Sequence, residues 1–199
     1  MQVIAIPDDL SYFSVTTHTA YYTSTTEVQI LCWLASQISG NIFEIGCNEG
    51  KTTRDLALNY PNKIVYAVDY LGESATLAKE QYRERPEHSK SLCHLARGLP
   101  NVRVWNHNSH SFDYEQLKDV QLIFIDGDHS FEAVKEDTTN ALFYLQKNGG
   151  GIIAWHDYVL GTCSDGWMAV KRYIDEYIRP IYSELTWIEH TRLVFLKVV

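Results

Sequence analysis

Five short apolar runs, NIFEIG (41–46), IVYAVD (64–69), VRVW (102–105), QLIFID (121–126) and GIIAW (151–155), constrain the fold of this chain more than any other feature. Each has strand length. Their nearly unbroken Val, Ile and Phe content is what strands buried on both faces of a parallel sheet require. Between them lie TTRDLALNY, a long polar stretch at 73–97, and FEAVKEDTTNALFYLQ, where Phe131, Val134, Ala141, Leu142 and Leu145 can line one helix face. Strand, helix, strand alternation implies right-handed crossovers and a doubly wound, Rossmann-like α/β fold with helices on both faces of the sheet. A last helix over 164–179 ends at Pro180. The tail LTWIEHTRLVFLKVV then reads as an antiparallel hairpin turning near His190 and Thr191, giving a mostly parallel, seven-stranded sheet.

A chain of 199 residues suffices for one well-buried core, and no repeat or Gly/Ser linker marks a boundary, so a single domain is expected over 1–199. Residues 1–25 form an irregular arm or lid, because the hydroxyl-rich stretch 8–25 sustains no period. The core occupies 26–199. Thr26 to Gln29 has the T-x-x-Q spacing of a capping box, and the helix it opens would stop at Gly40. With 17 Lys and Arg against 25 Asp and Glu, the net charge is −8, which repels phosphate backbones and argues against nucleic acid as a partner. No apolar run reaches the ~20 residues that span a bilayer, and the start lacks a basic leader, so a cytoplasmic protein without membrane contact is expected. Cys32, Cys47, Cys93 and Cys163 show no CxxC pair and read as thiols of a reducing compartment.

In FEIGCNEGKTT a strand carrying Glu44 leads into a loop bracketed by Gly46 and Gly50, and Thr52 and Thr53 open a helix. Glycine permits the tight turn and bare-backbone approach of a ligand, and the helix start offers unpaired N–H groups. A dinucleotide fingerprint requires G-x-G-x-x-G, but position 48 is Asn. A Walker A loop requires four residues before GK[ST], whereas three are present and one is Glu49. The E-x-G-x-x-x-G pattern instead suits a ligand with ammonium and carboxylate ends and no phosphates. Here the sequence resembles the class I S-adenosylmethionine-dependent methyltransferases, whose first motif is an acid followed by G-x-x-x-G. The resemblance implies that Glu44, Gly46, Cys47, Asn48 and Gly50 form the cofactor loop.

Asp69 closes the second strand about 20 residues later, where the fold brings the next strand end beside the first. A carboxylate there can accept both ribose hydroxyls, the role that the resemblance implies, and it can equally cap the following helix. After the third strand, Asn108 and Ser109 stand where the family places a short polar group beside adenine, although Asn and Ser also serve plain turns.

Asp126, Asp128 and His129 leave the fourth strand, and His156 and Asp157 leave the fifth. Five groups able to bind metal or move protons thus converge on the carboxyl edge of the sheet, where open α/β folds bind ligands. IDGDHS followed by GG and HDY resembles a branch of small methyltransferases related to the catechol and caffeoyl-CoA type O-methyltransferases, over roughly residues 41–160. That resemblance implies Asp126 at the cofactor and, with the His156–Asp157 pair, at a divalent metal ion. Histidine in place of a carboxylate suits a softer ion than Mg²⁺. Without metal, His129 or His156 can be a general base oriented by Asp126 or Asp157. The expected function is methyl transfer from S-adenosylmethionine to a small-molecule acceptor, most simply at a hydroxyl oxygen, with the chain able to act alone or as a homo-oligomer. Two rivals are a P-loop-like phosphotransferase, suggested by QLIFID and GKT, and a binding module that holds S-adenosylmethionine without turnover.

Overall fold

The computed structural model describes residues 1–16, 23–70, 92–158 and 165–199, with backbone alone at 165–167. Eight strands form one sheet: β1 (Gln2–Ile4), β2 (Asn41–Ile45), β3 (Val65–Asp69), β4 (Val102–Asn106), β5 (Val120–Ile125), β6 (Gly151–Trp155), β7 (Thr186–Ile188) and β8 (Val194–Val198). Their order is β1-β7-β8-β6-β5-β2-β3-β4. β8 runs antiparallel to β6 and β7, and the other pairings are parallel. The five apolar runs and the C-terminal hairpin are all strands, as their composition requires. The eighth strand corrects the expected count of seven. Gln2–Ile4 is too short and too exposed to carry a periodic signal, and it becomes a strand because β7 offers it an open edge.

Residues along each strand alternate between two cores. Ile42, Ala67, Leu122, Phe124, Ile152 and Ala154 face α1 (Thr25–Ser36) and α2 (Lys51–Asn59). Phe43, Val68, Ile123, Ile125, Ile153 and Trp155 face α3 (Phe131–Lys147) and α4 (Asp165–Tyr173). Helices therefore cover both faces. Val134, Ala141 and Leu145 of α3 are buried and Phe131 and Leu142 partly so, as expected, and Trp155 Nε1 donates to Thr138 on the same helix at 2.9 Å. Beyond α4 the helix continues as a π-helical turn over Ile174–Ile178. The polar stretch 73–97 lies largely outside the described residues.

α1 begins two residues earlier than the T-x-x-Q spacing suggests. Ser24 is its N-cap and Glu27 completes the box: the Ser24 hydroxyl accepts from the Glu27 N–H, and the Glu27 carboxylate accepts from the Ser24 N–H. Ser24-x-x-Glu27 prevails over Thr26-x-x-Gln29 because a carboxylate at that place also meets donors from two other segments, described below. The helix ends at Ser36, short of Gly40.

α3 carries one costly group. Asp137 is buried, and its Oδ1 has no hydrogen-bond partner among the described residues. Burial pushes its carboxyl up from 3.8 to about 6, aided by the charges of Asp128 and Glu136 and opposed by the Ser109 hydroxyl and His110. A raised carboxyl stabilises the fold fully below its unfolded pKa, and that contribution is lost as pH rises through the folded value. Asp137→Asn is therefore expected to raise unfolding free energy by about 3 kcal/mol near pH 8 and to change it little near pH 3, measured by urea melts at both.

Candidate active site

Strand order reverses between the parallel neighbours β2 and β5: β3 and β4 are added on one side of β2, and β5 and β6 on the other. A crevice opens at the carboxyl ends on either side of such a switch. The two loops there touch. Asp126 N–H donates to the Ile45 carbonyl at 2.9 Å, and a Cβ on Gly46 would lie 2.2 Å from the Asp126 carbonyl oxygen. Gly46 also has φ +89°, and Gly50, the N-cap of α2, has φ +86° with Cys93 Sγ 2.6 Å from where its Cβ would be. Both glycines are thus demanded by backbone conformation and by space.

Glu44 lies beneath this loop, 2% exposed, and accepts from the Thr53 hydroxyl; burial holds its carboxyl well above the usual range. Through Thr53 it ties β2 to the first turn of α2. The Cys47 thiol is buried and hydrogen-bonded to the free thiol of Cys93, so what residue 47 presents at the loop surface is backbone. Asn48 takes φ +45°, and its N–H donates to Asp69 Oδ2 at 2.7 Å. Asp69 also accepts from the Tyr70 N–H at 2.7 Å; burial raises its carboxyl, and these two donors pull the other way. The segment from Gly72 that Asp69 was expected to cap lies outside the described residues. Asn108 caps a 3-10 turn at Ser109–Ser111 through the His110 N–H, and the Ser109 hydroxyl bonds to Asp137. These two residues stand at the end of β4, beside Asp69, whose carbonyl accepts from the His107 N–H.

The groups after β5 and β6 meet in one cluster. His129 Nε2 lies 2.6 Å from Asp157 Oδ2 and 3.9 Å from Asp126 Oδ1. The Asp157 bond is the main cause of a raised His129 pKa. His156 is buried, with Nδ1 3.1 Å from Asp126 Oδ1 and 3.3 Å from Asp157 Oδ1, and Nε2 3.3 Å from Glu27 Oε2. Carboxylates only accept, so both ring nitrogens donate and the ring is an imidazolium. Burial opposes that charge, and the surrounding carboxylates outweigh it. Asp128 instead caps the following turn through the Ser130 N–H.

A family profile described as a methyltransferase domain matches residues 43–158, more than half of the chain. The chain belongs to this methyltransferase family. No curated protein matches the methyltransferase by sequence. Solved structures similar to it include cofactor-bound Rv0187 from MTB, with TM-score 0.60 and 18% identity over 91% of this chain and 83% of that one. TomG from Streptomyces achromogenes, an O-methyltransferase in complex with SAM, is similar at TM-score 0.53 and 17% identity over 89% and 81%. The SAH-bound Podospora anserina methyltransferase PaMTH1 is similar at TM-score 0.56 and 14% identity over 98% and 89%. At such identities the likeness is one of fold. Among the described residues of the methyltransferase, no helix is long and apolar enough to cross a membrane.

Three residues of the site had no signal in the sequence. Glu27 Oε1 accepts from the Arg192 N–H at 2.7 Å, Arg192 NH1 donates to Asp157 Oδ1 at 2.8 Å, and the Thr23 hydroxyl donates to Asp126 Oδ2 at 3.1 Å. Burial would push Glu27 up, but the bond and charge of His156, with the Ser24 and Arg192 N–H groups, hold it down at about 2. Asp157 likewise sits far below the usual range, its burial outweighed by His129 and His156. Glu27 and Arg192 lie 165 positions apart. No local pattern could have joined them.

Gly46→Ala is expected to abolish cofactor binding, since the methyl group would have to displace strand-end backbone. Asp69→Ala should weaken binding of S-adenosylhomocysteine by about 1 to 3 kcal/mol, the usual cost of stranding buried partners. Isothermal titration checks both, and unchanged affinity in the Asp69 variant would remove it from the site.

Proposed function

We propose that the protein transfers the methyl group of S-adenosylmethionine to a hydroxyl oxygen of a small-molecule acceptor, with the His129–Asp157 pair taking the acceptor proton. The observation that carries this is the 2.6 Å contact between His129 Nε2 and Asp157 Oδ2 at the mouth of a glycine-lined crevice. With Nε2–H donated to Asp157, the lone pair of neutral His129 resides on Nδ1, the tautomer a general base needs. The acceptor oxygen attacks the methyl carbon, the carbon–sulfur bond breaks with its electron pair going to sulfur, and S-adenosylhomocysteine leaves. The hydroxyl proton passes to His129 Nδ1 and then to water.

The cofactor would lie across Gly46, Asn48 and Gly50, with Asp69 on the ribose, Asn108 and Ser109 toward adenine, and Asp126 at the crevice floor. SAM- and SAH-bound proteins of like fold support that choice. Lys51 pairs with Glu49 at 3.0 Å, placing a carboxylate where a phosphotransferase would hold phosphate, which disfavours the P-loop alternative. The arm serves as part of the acceptor pocket. Within it Thr16 is tied to Asp55 and Thr23 to Asp126, and residues 17–22 lie outside the described set.

The divalent ion implied by the family resemblance does not fit this donor arrangement. Asp126, His129 and Asp157 bring ligand atoms within 4.8 Å of one another. Yet both oxygens of Asp126 and both of Asp157 already face protein donors, among them the Arg192 guanidinium and the His156 imidazolium. His156, the third expected ligand, has both nitrogens turned to carboxylates. Full turnover by EDTA-treated protein is expected; loss of activity restored by a divalent ion would overturn this assignment.

A screen of hydroxylated acceptors, read by S-adenosylhomocysteine release, tests the activity itself. Bound cofactor never converted would leave the binding-module alternative. Because Asp157 raises the pKa of His129, kcat/KM should rise with pH through an inflection above 6.5. Asp157→Asn removes that cause, so the inflection should move down while kcat falls about 100-fold or more, the usual weight of general-base catalysis.

A further inference from the structure

Asp157 has φ +58°, a left-handed backbone that a non-glycine residue keeps only when its surroundings enforce it. Those surroundings come from outside the doubly wound core. The Tyr158 N–H donates to the Arg192 carbonyl at 3.0 Å, so the chain just after Asp157 is bonded to the turn between β7 and β8. From the same residue, Arg192 NH1 donates to Asp157 Oδ1 at 2.8 Å. The Arg192 N–H is given to Glu27 Oε1 at 2.7 Å, and Glu27 Oε2 is the acceptor that closes the cap of α1. A continuous path thus runs from the α1 cap through Glu27 and Arg192 to Asp157, and ends on His129.

A carboxylate has two equivalent oxygens and rotates about its last bond. Arg192, together with His156 Nδ1 at 3.3 Å, holds Oδ1 and so sets the rotation at which the other oxygen, Oδ2, meets His129 Nε2. Resting on the His129–Asp157 dyad proposed above, we infer that Arg192 is a positioning residue that fixes the rotation of the Asp157 carboxylate against His129, and so orients the base. Glu27 fixes Arg192 in turn. The C-terminal hairpin is in this way part of the catalytic apparatus, as well as the closing edge of the sheet.

The test reads the dyad directly, with no acceptor needed. In protein labelled with [15N]histidine, the proton shared by His129 Nε2 and Asp157 gives a low-field resonance, assigned by its loss in His129→Asn and Asp157→Asn. Arg192→Ala should move that resonance upfield or broaden it by exchange while leaving S-adenosylhomocysteine affinity within about twofold, a factor worth only ~0.4 kcal/mol. Arg192→Lys, or guanidinium added to Arg192→Ala, should recover part of the signal, which a merely structural role would not predict. Retained affinity certifies that a variant is folded; if Arg192→Ala fails that check, Arg192→Lys and Arg192→Gln carry the comparison. An unchanged resonance in folded Arg192 variants overturns the positioning role and leaves the dyad standing. Absence of the resonance in the unmodified protein overturns the dyad, and the role of Arg192 with it.

Discussion

Glu27, His156 and Asp157 are buried together at the carboxyl edge of the sheet, and each is tolerable only because of the others. A buried ion lacking a partner costs several kcal/mol. Here the imidazolium of His156 is shared among Asp126, Asp157 and Glu27, while Arg192 bridges Glu27 and Asp157. The elements that supply these groups are far apart in the chain: the start of α1, the ends of β5 and β6, and the β7–β8 turn. Neutralising the charges fixes where those four elements can meet. The capping of α1 by Ser24 and Glu27, the strained backbone of Asp157 and the orientation of His129 all follow from it.

The cofactor crevice obeys a different constraint, which is room. At the switch between β2 and β5 the backbones approach so closely that a single methyl group on Gly46 would collide with the Asp126 carbonyl. Close approach sets the glycine loop beside the cluster of Asp126, His129 and Asp157. In methyl transfer the methyl carbon is already activated by the sulfonium, so the protein contributes chiefly alignment, exclusion of water and removal of one proton. Asp126 belongs to both halves of the site: its carbonyl abuts the glycine loop, and its carboxylate takes His156 and Thr23.

Much of the scaffold was legible because buried parallel strands demand continuous apolar runs, and those runs stand out between helical periods. Residues brought to the edge by strand ends, among them Asp69, Asp126, His129, His156 and Asp157, were legible for the same reason: topology assigns every parallel strand end to one side. β1 was not, being three residues long and partly exposed. The start of α1 was ambiguous because two capping patterns overlap in STTEVQ. Asn108 and Ser109 remain two-sided, since turn formation and adenine contact draw on the same polar side chains.

The sequence by itself determined the fold class, the glycine loop and the titratable groups that strand ends bring to the carboxyl edge, because periodicity and strand-end placement are local properties. Only the tertiary structure decided how those groups divide their tasks. His129 and His156 look alike as residues following apolar strands. Burial among three carboxylates makes His156 a structural cation, while one short bond to Asp157 leaves His129 at the mouth of the crevice as the candidate base. Glu27, Thr23 and Arg192 enter the site through contacts between segments 35 to 165 positions apart. Long-range electrostatic pairing of this kind leaves no trace in local sequence, since any exposed Glu or Arg would look the same.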